Sequence, residues 1–549
     1  MQPTHAKYTL QKHDSMMPTN TLPSNANRQI ARAAGTVMLA FVFSQLAGLA
    51  RRILVASAFG ASGELDAFIA ANRVSETLFN LVAGGALGSA FIPTFTGFLA
   101  KGDKRGAWRL ASTIANLALV TLSLLAVLAA IFAPQIVRYA IAPGFSADPI
   151  QETLTIELLR IQLASAVLFG LSGLVMGILN SHQVFLIPAL TPSMYQLGMI
   201  FGVLVLAPKS GIHGLAWGVV IGAALHLLLQ VPTLLKQKGQ YALTLGLKDP
   251  AVGEVMRLMG PRLLGVAVVQ LNFWVNIWLA SKMAEGSVAG IEYGFALMLM
   301  AQAAIAQSIA TAAMPTLAAQ YALGKLDEMR LSLVASLRGV LLLSVPATVG
   351  LILLRFPLIA LLYQRGEFSA HSTELVAWAL LWYAAGLVGH SVMEILARSF
   401  YALHDTKTPV LVGSVAMGLN VVFSITFSAL FARLGWMPHG GLALANSLAT
   451  ALEMVGLMIL MRRRLNGING ASLGHGFAQA AGAALAMSAA LVIWLRVTTN
   501  WPTWMVALGG IILSGIIYGL AMVLLRVPEL SLIHQAIQRQ LKRSRVERP

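Results

Sequence analysis

Asp66, Asn72, Arg73, Glu76 and Asn80 crowd into a stretch that is otherwise apolar. Asn72, Glu76 and Asn80 are spaced i, i+4, i+8, and Arg73 precedes Glu76 by three, so on a helix these four share one face. A charge at the bilayer centre costs about 2.5–3.5 kcal/mol on insertion scales, so that face cannot point at lipid. Two chemistries fit it. One is a hydrophilic cavity wall whose guanidinium groups take an anionic head group bidentately. The other is an internal Arg73–Glu76 pair that only locks two helices together. Arg51 and Arg52, near the end of the preceding apolar stretch, add two cations to the first reading, with Gln45 just before them.

Other polar groups interrupt later apolar stretches. Gln270, Asn272 and Asn276 lie in one, and Glu292, Gln302 and Gln307 in the next. Amides in such places more often join helices than bind ligand. Glu394, near His390, and Glu453 are placed to relay protons or bind a coupling cation, with structural pairing as the competing reading. Enzyme signatures are missing. The sequence has no G-x-G-x-x-G, no Walker loop, no H-E-x-x-H, no Cys and no paired-carboxylate motif for Mg²⁺ on a diphosphate. An ATP-driven pump is excluded, and a transporter is expected rather than an enzyme. No cofactor is expected beyond a coupling cation or the membrane potential.

These residues must be held by membrane-spanning helices. Of the 549 residues, 57% are hydrophobic and only 11% charged. A soluble domain carries about 25% charge, so the chain cannot cover a soluble fold. The apolar runs lack the alternation of barrel strands. The expected fold is an all-α polytopic membrane protein with about fourteen transmembrane helices. Residues 1–30 read as a disordered cytoplasmic leader, and 528–549 as a basic cytoplasmic tail, either solvated or lying on anionic lipid.

The chain also resembles itself at an offset of about 222. Pro93-Thr94 matches Pro315-Thr316, Phe145-Ser-Ala147 matches Phe368-Ser-Ala370, and His182 with Pro188 matches His404 with Pro409. Gly214-Leu-Ala216 matches Gly441-Leu-Ala443, the offset having drifted to 227. Two six-helix lobes of like orientation follow, over 31–240 and 250–464, with two further spans at 470–527. Parallel repeats of this kind place a substrate site between lobes that rock to expose it to each side in turn. Placing both termini inside puts 27 of the 38 Lys and Arg on the inner side, 10 on the outer side and Arg73 within a span. That split is the positive-inside pattern. It accounts for most of the +17 net charge and removes the case for a nucleic-acid partner.

Several motifs resemble one family. Phe43-Ser-Gln-Leu-Ala-Gly-Leu-Ala-Arg-Arg52, Phe59-Gly-Ala-Ser62, Asp66-Ala-Phe68 and Ser89-Ala-Phe-Ile-Pro93 are similar to the start of the MurJ/MviN family of lipid II flippases. Tyr363-Gln-Arg-Gly-Glu-Phe368 and Arg398-Ser-Phe-Tyr-Ala-Leu-His-Asp-Thr-Lys-Thr-Pro409 resemble its second half. The resemblance implies a bacterial inner-membrane protein. It would move an undecaprenyl-pyrophosphate-linked peptidoglycan precursor from the inner to the outer leaflet through a cationic cavity between spans 1, 2, 7 and 8. Its partners would be that lipid-linked oligosaccharide, membrane lipids and the cell-wall synthesis machinery. Arg51 and Asp66 match family cavity positions. Gln45, Phe79 and Ala296 stand where the family has arginine, and Gly84 where it commonly has glutamate. Arg52 and Arg73 are additional cations. The expected anion site is therefore Arg51, Arg52 and Arg73, positioned by Asp66 and Glu76, with Gln45, Asn80, Asn276 and Glu292 around it. Spans 13 and 14 would guide the lipid tail. The alternatives are a flippase for another lipid-linked polysaccharide, a cation-coupled exporter of small amphiphiles that would depend on Glu292, Glu394 or Glu453, and a non-transporting scaffold.

Overall fold

A computed structural model describes residues 24–82, 86–246 and 248–529. Most of the expected leader, nearly all of the expected tail and the Gly84-Gly85 pair lie outside these residues. The regular secondary structure of the described residues is entirely helical, with no strand. The first lobe comprises α1 (Ser24–Phe59), α2 (Gly63–Val82), α3 (Ala86–Ala100), α4 (Lys104–Ile131), α5 (Pro149–Ser181), α6 (Leu186–Phe201) and α7 (Ile212–Leu228). The second comprises α8 (Pro250–Ala280), α9 (Ser287–Gln302), α10 (Ser308–Ala322), α11 (Leu326–Tyr363), α12 (Ala370–Ala385), α13 (Leu387–Ala402), α14 (Lys407–Arg433) and α15 (His439–Arg464). Two more helices, α16 (Gly470–Val497) and α17 (Thr503–Leu524), complete the bundle.

Among the described residues, eleven helices are long and apolar enough to cross a bilayer, or thirteen if two bent pairs count as single spans. The expectation of fourteen exceeds this at segment 66–99. There α2 carries Glu64, Asp66, Arg73 and Glu76, so by composition it does not read as a span, and α3 is short. Local sequence sets the helix starts. Asp103, Asp148 and Asp249 accept from the backbone of Gly106, Ile150 and Ala251 at 2.8, 2.9 and 3.0 Å, and proline follows the latter two caps. These are ordinary N-caps with proline pre-set for the first turn.

The main core joins both lobes. Phe59, Leu65, Phe68 and Leu159 of the first pack in one cluster with Val288, Leu297, Tyr363 and Leu380 of the second. Helices α16 and α17 pack against α11, where Ala480, Met487 and Tyr518 meet Leu342 and Leu354.

The lobes touch differently at the two ends of the bundle. At one end the backbones close on each other. The Glu367 N–H donates to the Ser57 carbonyl at 2.9 Å, and the Ala61 N–H to the Ser372 hydroxyl at 3.2 Å. Gly60 (φ +62°) and Gly366 (φ +59°) sit in this seam. A Cβ on Gly60 would lie 2.5 Å from the Glu367 carbonyl oxygen, and one on Gly366 2.2 Å from that of Ser57. Only glycine allows both the left-handed backbone and the approach. At the other end the first half of α8 leaves its lobe. Val252, Val255 and Met259 pack with Phe91, Phe95 and Leu110.

Candidate functional site

Helix α2 carries most of the site because one of its faces is polar and turned inward. Asn72 donates to Glu76 at 2.8 Å, and Arg73 bonds the other Glu76 oxygen at 3.0 Å. Arg73 also reaches across the lobes to Glu292 on α9 at 3.1 Å, and its guanidinium lies 4.6 Å from the centre of the Phe273 ring. Arg73 thus makes the internal pair of one sequence reading and also borders a cavity. Its charge is shared between two carboxylates.

Arg51 and Arg52 are different. They line a 120 Å³ cavity with Arg73, Glu76, Asn72, Glu292 and Ala296. Arg51 donates to the Met199 sulfur at 3.4 Å, and its Nε is buried without a partner. Neither Arg51 nor Arg52 forms an ion pair among the described residues, whereas Arg73 forms two. Two adjacent guanidinium groups facing an enclosed space, short of acceptors, are suited to an anion with several oxygens.

Asp66 stands outside this cavity. It is 2% exposed and accepts from the backbone of Gly286 at 2.8 Å and Ala289 at 2.7 Å. It thus caps α9, a helix of the other lobe. Glu285 returns the contact, accepting from Gly63 at the start of α2 at 2.6 Å. Each lobe caps a helix of its partner, where the N-terminal dipole favours a carboxylate. The sequence suggested an acidic residue at this end of α2 but gave no sign of the reciprocal arrangement.

The other expected residues are dispersed. Gln45 is exposed. Asn276 borders a 30 Å³ cavity beside Arg73 and Glu292, while bonding Asn272 at 3.3 Å and Ser424 at 3.2 Å. Gln270 accepts from Thr77 at 3.2 Å, and the Trp274 indole donates to the same hydroxyl at 2.8 Å, which ties α8 to α2. Glu394 is paired with Arg398 at 2.8 Å, and His390 with Asn446 at 3.0 Å, so these two do not pair with each other. Glu453 lines a 1040 Å³ cavity with Asn80, Gln270, Tyr401 and Lys407 and otherwise mostly apolar walls. No group of three or more metal-ligating side chains occurs among the described residues.

Sequence reasoning missed a second cavity of the first lobe. It measures 400 Å³ and lies between α2, α5, α6 and α7. Asn72, Glu76 and Tyr195 are shared with the arginine cavity, and Asn80 with the 1040 Å³ cavity. Its aromatic residues come from four separate helices, and only Phe79 was noticed in the sequence.

The comparisons agree with this architecture. The sequence profile of the family described as lipid II flippase MurJ matches residues 55–511. A lipid II flippase MurJ from Burkholderia cenocepacia is 32% identical over 478 residues, covering 86% of this chain and 91% of the relative. A relative from Vibrio cholerae is 28% identical, covering 89% of this chain and 94% of its own length. Among solved structures, a MurJ in an inward closed conformation aligns with a TM-score of 0.76 at 24% identity, over 89% of this chain and 98% of that one. An inward-facing multidrug resistance MATE family transporter of the MOP superfamily aligns at 0.62 and 17% identity, over 77% of this chain and 94% of that one. The extent of the profile match and the shared identity place this multi-pass membrane chain in the MurJ family of lipid II flippases.

Proposed function

We propose that the chain carries lipid II from the inner to the outer leaflet by alternating access, with Arg51 and Arg52 receiving the pyrophosphate. One contrast supports this reading most. Arg73 already holds two carboxylates, while Arg51 and Arg52 face an enclosed cavity without an ion-pair partner. Arg52 and Ala296 border the same cavity, so an extra cation on α1 stands opposite the position where the family resemblance implies one on α9. The 27-to-10 split of basic residues, counted with α2 and α3 together as one crossing, supports a cytoplasmic position for both termini. The seam at Gly60 and Gly366 then faces outward and is shut, and the large cavity beside Asn80 lies toward the cytoplasmic half. The lipid tail would stay in the bilayer against α16 and α17, while the cavity hydrates the head group.

Expression in a bacterium depleted of its own lipid II flippase tests this. Arg51→Ala with Arg52→Ala is expected to abolish rescue at normal membrane abundance. Full rescue by that double variant would overturn the anion site.

A second reading, a cation-coupled exporter of amphiphiles, draws on Glu453, which has no ion pair among the described residues and faces a large, mostly apolar cavity. It requires Glu453→Gln to raise drug accumulation. In the flippase reading the same change can affect only coupling to an ion gradient, and drug accumulation stays constant.

A further inference from the structure

The 400 Å³ cavity of the first lobe has a chemistry unlike that of its neighbour. Phe169 in its lining contacts three other aromatic rings. Its ring lies 5.4 Å from Phe79, 5.1 Å from Tyr195 and 5.4 Å from His226, centroid to centroid. His226 is fixed from behind by Ser172 at 2.6 Å, and Gln230 bonds the same hydroxyl at 2.6 Å. The polar lining is Asn72, Ser75, Glu76, Asn80 and Ser165, with no Lys or Arg. Ser75 is 2% exposed, and its hydroxyl is buried without a hydrogen-bond partner.

Those observations narrow the ligand. A buried hydroxyl with no partner costs about 1–3 kcal/mol, so its retention points to a partner that arrives from outside. A phosphate is disfavoured, because no Lys or Arg lines the pocket and the adjoining guanidinium, that of Arg73, is already held by Glu76 and Glu292. A purely apolar chain would leave the buried Ser75 hydroxyl without a partner. Aromatic faces set among amide and hydroxyl groups suit a ring that is apolar on its C–H face and hydroxylated at its edge. The volume falls in the range of about 300–1,000 Å³ usual for small-ligand sites. It adjoins the arginine cavity through Asn72, Glu76 and Tyr195.

We propose that this side pocket is a sugar subsite: it receives the hexosamine ring next to the pyrophosphate, stacks it on the Phe79–Phe169 aromatic wall and hydrogen-bonds it through Ser75, Asn80 and Glu76. The assignment rests on the reading of Arg51 and Arg52 as the pyrophosphate site. Phe79 acquires a role in it, because an arginine at this position would bring charge to a wall that here is aromatic.

The test uses the full-length chain in lipid nanodiscs and three probes: undecaprenyl pyrophosphate without sugar, the same lipid with one N-acetylhexosamine, and lipid II. Phe169→Leu keeps apolar bulk but removes the ring, and Ser75→Ala removes only the hydroxyl. Each is expected to weaken binding of both glycosylated lipids by about five- to tenfold, with the sugar-free lipid unchanged. Ser75→Ala should not lower the melting temperature of the ligand-free protein, since the hydroxyl has no partner to lose. Wild-type affinity for the glycosylated lipids in both variants, or an equal loss for all three probes, overturns the sugar subsite. Arg51→Ala should weaken all three probes alike. Unchanged binding of the sugar-free lipid in Arg51→Ala would overturn the pyrophosphate reading instead, so the two failures are distinguishable.

Discussion

Arg73 on α2 and Glu292 on α9 form an ion pair at 3.1 Å that joins the two lobes beside the proposed substrate cavity, while Glu76 holds the same guanidinium at 3.0 Å. Arg73 is thus a closing contact as well as a cavity cation. Glu292→Gln should leave Arg73 with one carboxylate and shift the lobes toward separation. A charged hydrogen bond of about 1.5 kcal/mol changes such an equilibrium about tenfold. A cysteine pair replacing Ser57 and Glu367 reports closure by cross-linking, and Glu292→Gln should lower its yield. An unchanged yield would mean that the ion pair does not hold the closed state.

The glycine seam yields a sharper effect. Gly60→Ala or Gly366→Ala places a methyl group against the opposite backbone at a positive φ, a strain of about 1–3 kcal/mol. Each should reduce the same cross-link and impair rescue. Gly97→Ala, where nothing lies within 4 Å, is the matching control and should behave as wild type.

The two cross-lobe caps should rank in a definite order. Asp66 uses both carboxylate oxygens and is 2% exposed, whereas Glu285 uses one for its bond to Gly63. An amide offers one acceptor oxygen, so Asp66→Asn must lose a bond and Glu285→Gln need not. Asp66→Asn should therefore depress cross-linking and transport more than Glu285→Gln. The reverse ranking would sink the capping role of Asp66.

The segment after α17 has its own pH dependence. The Arg338 guanidinium bonds both carboxylate oxygens of Glu529 and the Ser472 carbonyl, which holds the Glu529 carboxyl below its usual range. A depressed acid contributes stability above its unfolded pKa and loses it as pH falls through the folded value. This tie should weaken as pH drops below about 4.3, the ordinary glutamate value. The hydrogen-exchange protection factor around Val527, corrected for the intrinsic pH dependence of amide exchange, should fall on acidification in the wild type, and be lowered and pH-independent in Glu529→Gln.

The sequence made the all-helical fold and the polar face of α2 legible, because spacing and hydropathy are local properties. It also identified the Arg73–Glu76 pair, only three residues apart. It could not reveal Glu292 as the second partner of Arg73, since that contact joins positions 219 apart and depends on how the lobes meet. Asp66 was recognised as important, but its partners are backbone N–H groups, which leave no trace in residue identity. The aromatic side pocket was hidden for a related reason. Phe79, Phe169, Tyr195 and His226 each look like ordinary core residues on their own helices, and only packing brings them together.

The reciprocal caps have a consequence for how readily the lobes can part. When they separate, Asp66 and Glu285 regain water as acceptors, and the freed N–H groups of α2 and α9 regain it as donors. Bonds are exchanged, with few lost outright, and the net worth of each is small. The closed seam is thus geometrically exact at its glycines yet energetically shallow at its charges. In the proposed alternating-access cycle, the binding of one head group would then suffice to part the lobes, without a large energy input at each turn.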